Sequence, residues 1–184
     1  IQALKKITGD RKIVAFASTR EGEELQIIKS YLALQNKFNA LLLIIPRHPE
    51  RFNEVYKIAN EKGLNVKRRS LADHCDKDTD ILIGDSMGEM MSYFSISHIA
   101  FIGGSLSNHG GQNMLEAASL SKPIIFGPSV FNFEEISEKL LNEGSAIQVS
   151  NAEELMQAIS ELLLDNEKRK LIGQSAKTTF ENNR

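Results

Sequence analysis

At 184 residues, 41% hydrophobic and 25% charged, with 12 Gly, 4 Pro and no Trp, the chain has the make-up of one soluble α/β domain and not of a collagen, a mucin or a disordered polymer. A chain of this length buries roughly 70% of its unfolded surface, enough for a core without staples. Lys plus Arg number 22 against 24 Asp plus Glu, so the net charge of -2 lacks the basic excess of a nucleic-acid binder, and no nucleic-acid partner is expected.

The chain opens on Ile1 and a helical-looking IQALKK, which reads as a piece of a longer polypeptide. Short apolar runs then alternate with amphipathic stretches. Strands are predicted at Lys12 to Ala17, Ala40 to Ile45, Asn65 to Arg68, Ile81 to Gly84, His98 to Ile102, Pro123 to Phe126 and Ala146 to Val149, each too short for a buried helix and rich in Ile, Val and Leu. Helices are predicted between and after them at Glu23 to Gln35, Pro49 to Lys62, Met87 to Phe94, Gln112 to Ser119, Phe133 to Leu141, Ala152 to Leu164 and Asn166 to Phe180. The last carries Glu167, Lys168, Arg169 and Lys170, a charged run that reads as a solvated face. Strict alternation predicts right-handed βαβ crossovers and a mainly parallel sheet covered on both faces. One Rossmann-like domain over 1–184 follows. The single cysteine, Cys75, has no disulfide partner, no Cys/His cluster has zinc spacing, and the longest apolar run, Ala40 to Pro46, is far too short to span a bilayer. No metal is expected.

In a parallel sheet ligands bind beyond the carboxyl ends of the strands, so the loops after each strand are where chemistry belongs. After the first strand, Ser18-Thr19-Arg20-Glu21-Gly22 precedes a helix whose amides suit a phosphate, although a plain N-cap satisfies the same letters. After the second, Pro46 and Pro49 flank Arg47, whose guanidinium fits a phosphate or, alternatively, pairs with Glu50. Gly84 to Met91 (GDSMGEMM) brings the Met87, Gly88 and Glu89 amides to the same edge, with Asp85 and Ser86 open to a capping role. Two glycine pairs, Gly103-Gly104 and Gly110-Gly111, bracket the loop before Gln112-Asn113-Met114-Leu115-Glu116, where Asn113 and Glu116 at i, i+3 share a helix face and the carboxylate can take ribose hydroxyls. Neither GxGxxG, GxxxxGK[ST] nor GxSxG occurs, against dehydrogenases, P-loop enzymes and α/β-hydrolases.

The motifs ASTREGEE, IIPRHPERF, GDSMGEM and FIGGSLSNHGGQNMLEAA, in this order from Ala17 to about Pro128, resemble the 3-deoxy-D-manno-octulosonic acid (Kdo) transferases, and Gly127-Pro128 with Phe131-Asn132-Phe133 extends the likeness. The resemblance implies the C-terminal, donor-nucleotide half of a two-domain GT-B inverting glycosyltransferase that moves Kdo from CMP-Kdo to a lipid A precursor at the cytoplasmic face of the bacterial inner membrane. It puts Pro46 and Arg47 on the CMP phosphate, Met87, Gly88 and Glu89 on the cytidine side, and Asn113, Met114, Leu115 and Glu116 on the nucleotide sugar. Ser18, Thr19, Gly103, Gly104 and Ser105 stand behind these as secondary candidates. The loop Ser105 to His109 departs from commoner versions, and Gln112 stands where His is frequent. The resemblance also implies that the general-base glutamate, the lipid acceptor site and the membrane anchor lie in an N-terminal half, so no catalytic residue, no cofactor and no transfer by this chain alone are expected. A transferase for a UDP-sugar or CMP-sialic acid, and a non-catalytic nucleotide-binding module, are the rival readings.

Overall fold

A computed structural model describes residues 1–183. In chain order the elements are α1 (Gln2–Thr8), β1 (Ile13–Thr19), α2 (Glu23–Leu32), β2 (Leu41–Pro46), a 3-10 turn at Pro49–Arg51, α3 (Phe52–Glu61), β3 (Val66–Arg68), a second 3-10 turn at Arg69–Leu71, β4 (Ile81–Ile83), α4 (Met90–Ile96), β5 (Ile99–Ile102), α5 (Leu115–Ser119), β6 (Ile124–Phe126), α6 (Glu134–Asn142), β7 (Ala146–Gln148), α7 (Ala152–Leu164) and α8 (Asn166–Asn182). The seven strands form one sheet in the order β3-β4-β2-β1-β5-β6-β7, and every pairing is parallel.

Alternate residues of the strands feed opposite faces. Val14, Phe16, Leu42 and Ile44 pack with Ile27, Ile28, Val55, Ala59, Leu155 and Ile159, which places α2, α3 and α7 on one face. Ala15, Leu41 and Leu43 meet Leu4, Tyr93 and Ile96 of α1 and α4, while Ile102, Ile124 and Phe126 meet Ala117, Ala118, Leu140 and Ala176 of α5, α6 and α8 on the other. The result is the three-layer, doubly covered sheet expected of the alternation.

Two helices beside the cleft begin three residues later than the sequence predicts. The helix placed from Met87 starts at Met90, because Gly88 adopts a left-handed φ of 74° and turns the chain before it can wind. The helix placed from Gln112 starts at Leu115, so Asn113 is not on a shared helix face with Glu116; instead its side-chain oxygen accepts the Leu115 amide at 2.9 Å. In α8, Glu167, Lys168 and Lys170 are exposed as expected, but Arg169 is half-buried and donates to the carbonyls of Leu162 (2.7 Å) and Leu163 (2.9 Å), which neutralises the unpaired C-terminus of α7.

Candidate functional site

The strand order reverses at β1. β2, β4 and β3 lie outward on one side of it and β5, β6 and β7 on the other, and such a switch point leaves a crevice at the carboxyl edge. A cleft of about 280 Å³ opens there, walled by the ends of β1 (Ala17, Ser18), β2 (Ile45, Pro46, Arg47) and β5 (Ile102), by 86–90 with Tyr93 and Phe94, and by Gln112, Asn113 and Glu116.

Arg47 is exposed on this wall, and its guanidinium has no ion-pair or hydrogen-bond partner among the described residues, Glu50 included. Its backbone amide donates to the Thr19 carbonyl at 2.9 Å, which fastens the loop after β2 to the end of β1. Ser18, with φ 59°, interrupts the β1–β2 register and lines the cleft. Thr19 does not: it is buried, and its Oγ1 finds no hydrogen-bond partner.

The turn before α4 is held by side chains. Glu89 receives Arg69 on both oxygens, at 3.2 and 3.1 Å, and the Ser86 hydroxyl at 2.5 Å. Burial works against its charge, but the bonds from Ser86 and Arg69 and the Arg69 charge outweigh it and keep the carboxyl below its ordinary pKa. Ser86 also bonds the Tyr93 hydroxyl, whose pKa burial pushes up to about 12. Asp85 is not a helix cap. It is buried and takes Arg68 at 2.7 Å and the Ser70 amide at 2.7 Å, tying the second 3-10 turn to the end of β4. Met87 stands exposed at the cleft mouth.

Glu116 and Asn113 line the cleft, whereas the Met114 side chain is fully buried in the core, so any role of Met114 toward a ligand is through its backbone. Gly103, Gly104 and Ser105 shape the floor without lining it. A Cβ on Gly103 would sit 2.3 Å from the Ser18 carbonyl oxygen, so glycine is what lets β1 and β5 end side by side. Ser105 is buried, donates to the Ile102 carbonyl at 2.5 Å and accepts the Gly127 amide at 2.8 Å.

The residue sequence reasoning missed is Glu23. Its fully buried carboxylate accepts the amides of Arg20 (2.8 Å), Gly104 (2.7 Å), Leu106 (3.0 Å) and Ser107 (3.3 Å), and so welds the loop after β1 to the glycine loop after β5. In the sequence it reads as an ordinary acidic residue in a first helical turn. Three of its four partners lie more than eighty residues away, and only the excess of acid in REGEE hints at it. Ser86, Tyr93, Phe94 and Gln112 join the cleft in the same way, brought in by tertiary packing.

The glycosyl transferases group 1 family matches residues 25–179. The 3-deoxy-D-manno-octulosonic acid transferase of Haemophilus influenzae is 42% identical over 177 residues, 95% of this chain and 42% of that protein, and the transferase of the same description from Bordetella pertussis is 36% identical over 91% of this chain and 40% of its own length. The chain therefore spans about two fifths of the curated relatives it matches. The crystal structure of the C-terminal CMP-Kdo binding domain of WaaA from Acinetobacter baumannii superimposes with a TM-score of 0.90 at 30% identity, covering 98% of this chain and 96% of that one. Sucrose-phosphate synthase from Thermosynechococcus elongatus, at 15% identity and a TM-score of 0.66 over 94% of this chain and 41% of its own, shares the fold alone. With a seven-stranded parallel sheet, a cleft at its switch point and end-to-end likeness to that domain, this chain belongs to the glycosyl transferases group 1 family, where it is the counterpart of the C-terminal domain of the Kdo transferases.

Proposed function

We propose that the cleft at the β1/β5 switch point binds the CMP part of CMP-Kdo, and that the chain is the donor half of an inverting Kdo transferase acting on a lipid A precursor. The observation that carries this reading is Arg47, a guanidinium unpaired by any described residue at the cleft wall, in a chain aligned end to end with a domain described as CMP-Kdo binding. As the bond from the sugar to the phosphate oxygen breaks, negative charge gathers on the departing CMP, and a guanidinium free to pair at the cleft wall stabilises that charge. Charge balance on the single phosphate is thus assigned to Arg47 and not to a metal. Glu116 takes the ribose hydroxyls. The 87–89 turn, stiffened through Glu89 and Arg69, offers backbone groups to the cytosine edge.

Transfer further requires a base that removes the acceptor hydroxyl's proton as the sugar arrives. That base, the lipid acceptor site and contact with the cytoplasmic face of the inner membrane are assigned to an N-terminal half. The chain of residues 1–184 by itself is expected to bind CMP and to transfer no Kdo. Calorimetric titration with CMP, UDP and AMP tests the donor: CMP is expected to bind tightest, tighter binding of UDP overturns the CMP assignment, and no binding of any of the three removes the cleft as a nucleotide site. Kdo transfer by the purified chain would overturn the division of labour.

A further inference from the structure

The amino edge of the sheet, away from the nucleotide cleft, carries a separate cavity of about 420 Å³ between α1, the α1–β1 connection, the α4–β5 turn and the α5–β6 turn. Lys5, Arg11, His98 and Lys122, one from each of these segments, line it. Much of their donor capacity is unspent. His98 accepts the Ile13 amide on Nδ1 at 3.1 Å, so the neutral ring must carry its proton on Nε2. Arg11 donates Nη1 to the Asp76 and Thr79 carbonyls, and its Nε is buried with no hydrogen-bond partner, so what Arg11 brings to the cavity is chiefly its charge. Lys122 donates to the Ser95 carbonyl at 3.2 Å, one of three N–H groups it has. No ion pair engages any of the four among the described residues, although Asp10 stands on the same lining.

The charges here also repel one another. Burial and the neighbouring Lys5 push the Lys122 pKa down. Burial, then Lys12, Lys122 and Arg169, push His98 down to about 4. A negatively charged ligand with several acceptor oxygens answers both features, since it takes several N–H groups at once and cancels the repulsion.

We propose that this cavity is an anion site for a phosphate group, either inorganic phosphate or the end of a phosphate monoester, independent of the nucleotide cleft. The test follows the His98 ring resonances by NMR in chloride buffer during titration with inorganic phosphate and, in a parallel arm, with glycerol phosphate, each with and without saturating CMP. A saturable shift of His98 that CMP leaves unchanged is the expected result, and the tighter of the two arms identifies the free or esterified source. Lys122→Gln should weaken binding tenfold or more, the range for a lost hydrogen bond to a charged group. Lys5→Gln, on an exposed side chain that the fold does not need, should weaken it in the same direction and keeps the test valid if Lys122→Gln fails to fold. The proposal is overturned if neither phosphate moves His98, if CMP abolishes the shift, or if a folded variant binds phosphate as the parent does.

Discussion

Arg47 and Arg51 lie four residues apart and carry opposite expectations. Arg47 is exposed at the cleft with no partner among the described residues, so Arg47→Ala should lower CMP affinity roughly ten- to a hundredfold, with little change for cytidine and none in thermal stability, as paired calorimetry and melting curves would read. Arg51 is buried on Glu24 at 2.8 Å; removing it strands a buried carboxylate, and Arg51→Ala should cost about 3–5 kcal/mol of stability by urea denaturation while leaving the affinity of the folded fraction alone. Glu116→Gln should weaken CMP and cytidine alike, because the group assigned to it above is the ribose. His98 gives the protonation forecast. Its folded pKa is about 4 against 6.5 for the free side chain, so between these values the unfolded chain binds the proton first and stability falls as pH drops through the window. His98→Asn keeps an oxygen to accept the Ile13 amide and cannot titrate. Its urea midpoint should therefore decline less than the parent's between pH 7 and pH 4.5, and an identical decline in both would refute the assignment.

At the scale of elements, the strands were the most legible part of the sequence, because a strand buried on both faces must be a short unbroken apolar run whatever surrounds it. Leu41–Pro46 is the predicted span shifted by one residue, and Ile99–Ile102 is the predicted span less its first residue. Helix starts were harder to read. The letters of Ser86 to Glu89 satisfy a helix entry, yet Ser86 is claimed by Glu89 and Tyr93 and Gly88 is left-handed, a choice settled by tertiary partners. For the same reason Arg47, Glu89 and Glu116 could be placed at the cleft from loop position plus resemblance, while Glu23, with partners across the sheet, could not. Glu23→Ala would leave four amides without their acceptor. It should destabilise the chain by about 3 kcal/mol or more and speed hydrogen exchange at Gly104, Leu106 and Ser107 above all other sites. The packing of α8 is set by one glycine: a Cβ on Gly173 would lie 2.1 Å from the carbonyl oxygen of Ser121. Gly173→Ala must push the helix off the α5–β6 turn, and a variant melting like the parent would show that this approach is looser than the distance states.

Across the whole molecule, the switch in strand order is what gathers the site. Residues from four separate strand ends meet at one crevice only because the chain places strands on both sides of β1. No helix among the described residues is long and apolar enough to cross a membrane, in keeping with the absence of any such run in the sequence. The same topology governs how the protein is made. Of these seven strands β1 is the first to leave the ribosome and the central one in the finished sheet, with β2 on one side and β5 on the other. β2 ends at Pro46 but β5 begins at Ile99, so at a synthesis rate of about 5–20 residues per second one edge of β1 waits roughly 3–10 seconds for its partner. Through that interval Val14 to Ala17 present an apolar strand with open hydrogen-bonding groups, the kind of edge that recruits holding chaperones or a second nascent chain. Ribosome-stalled chains ending before Ile99 should accordingly be protease-sensitive and prone to associate, and those extended past Phe126 should resist both, with the change arriving as β5 clears the exit tunnel and not when β2 does.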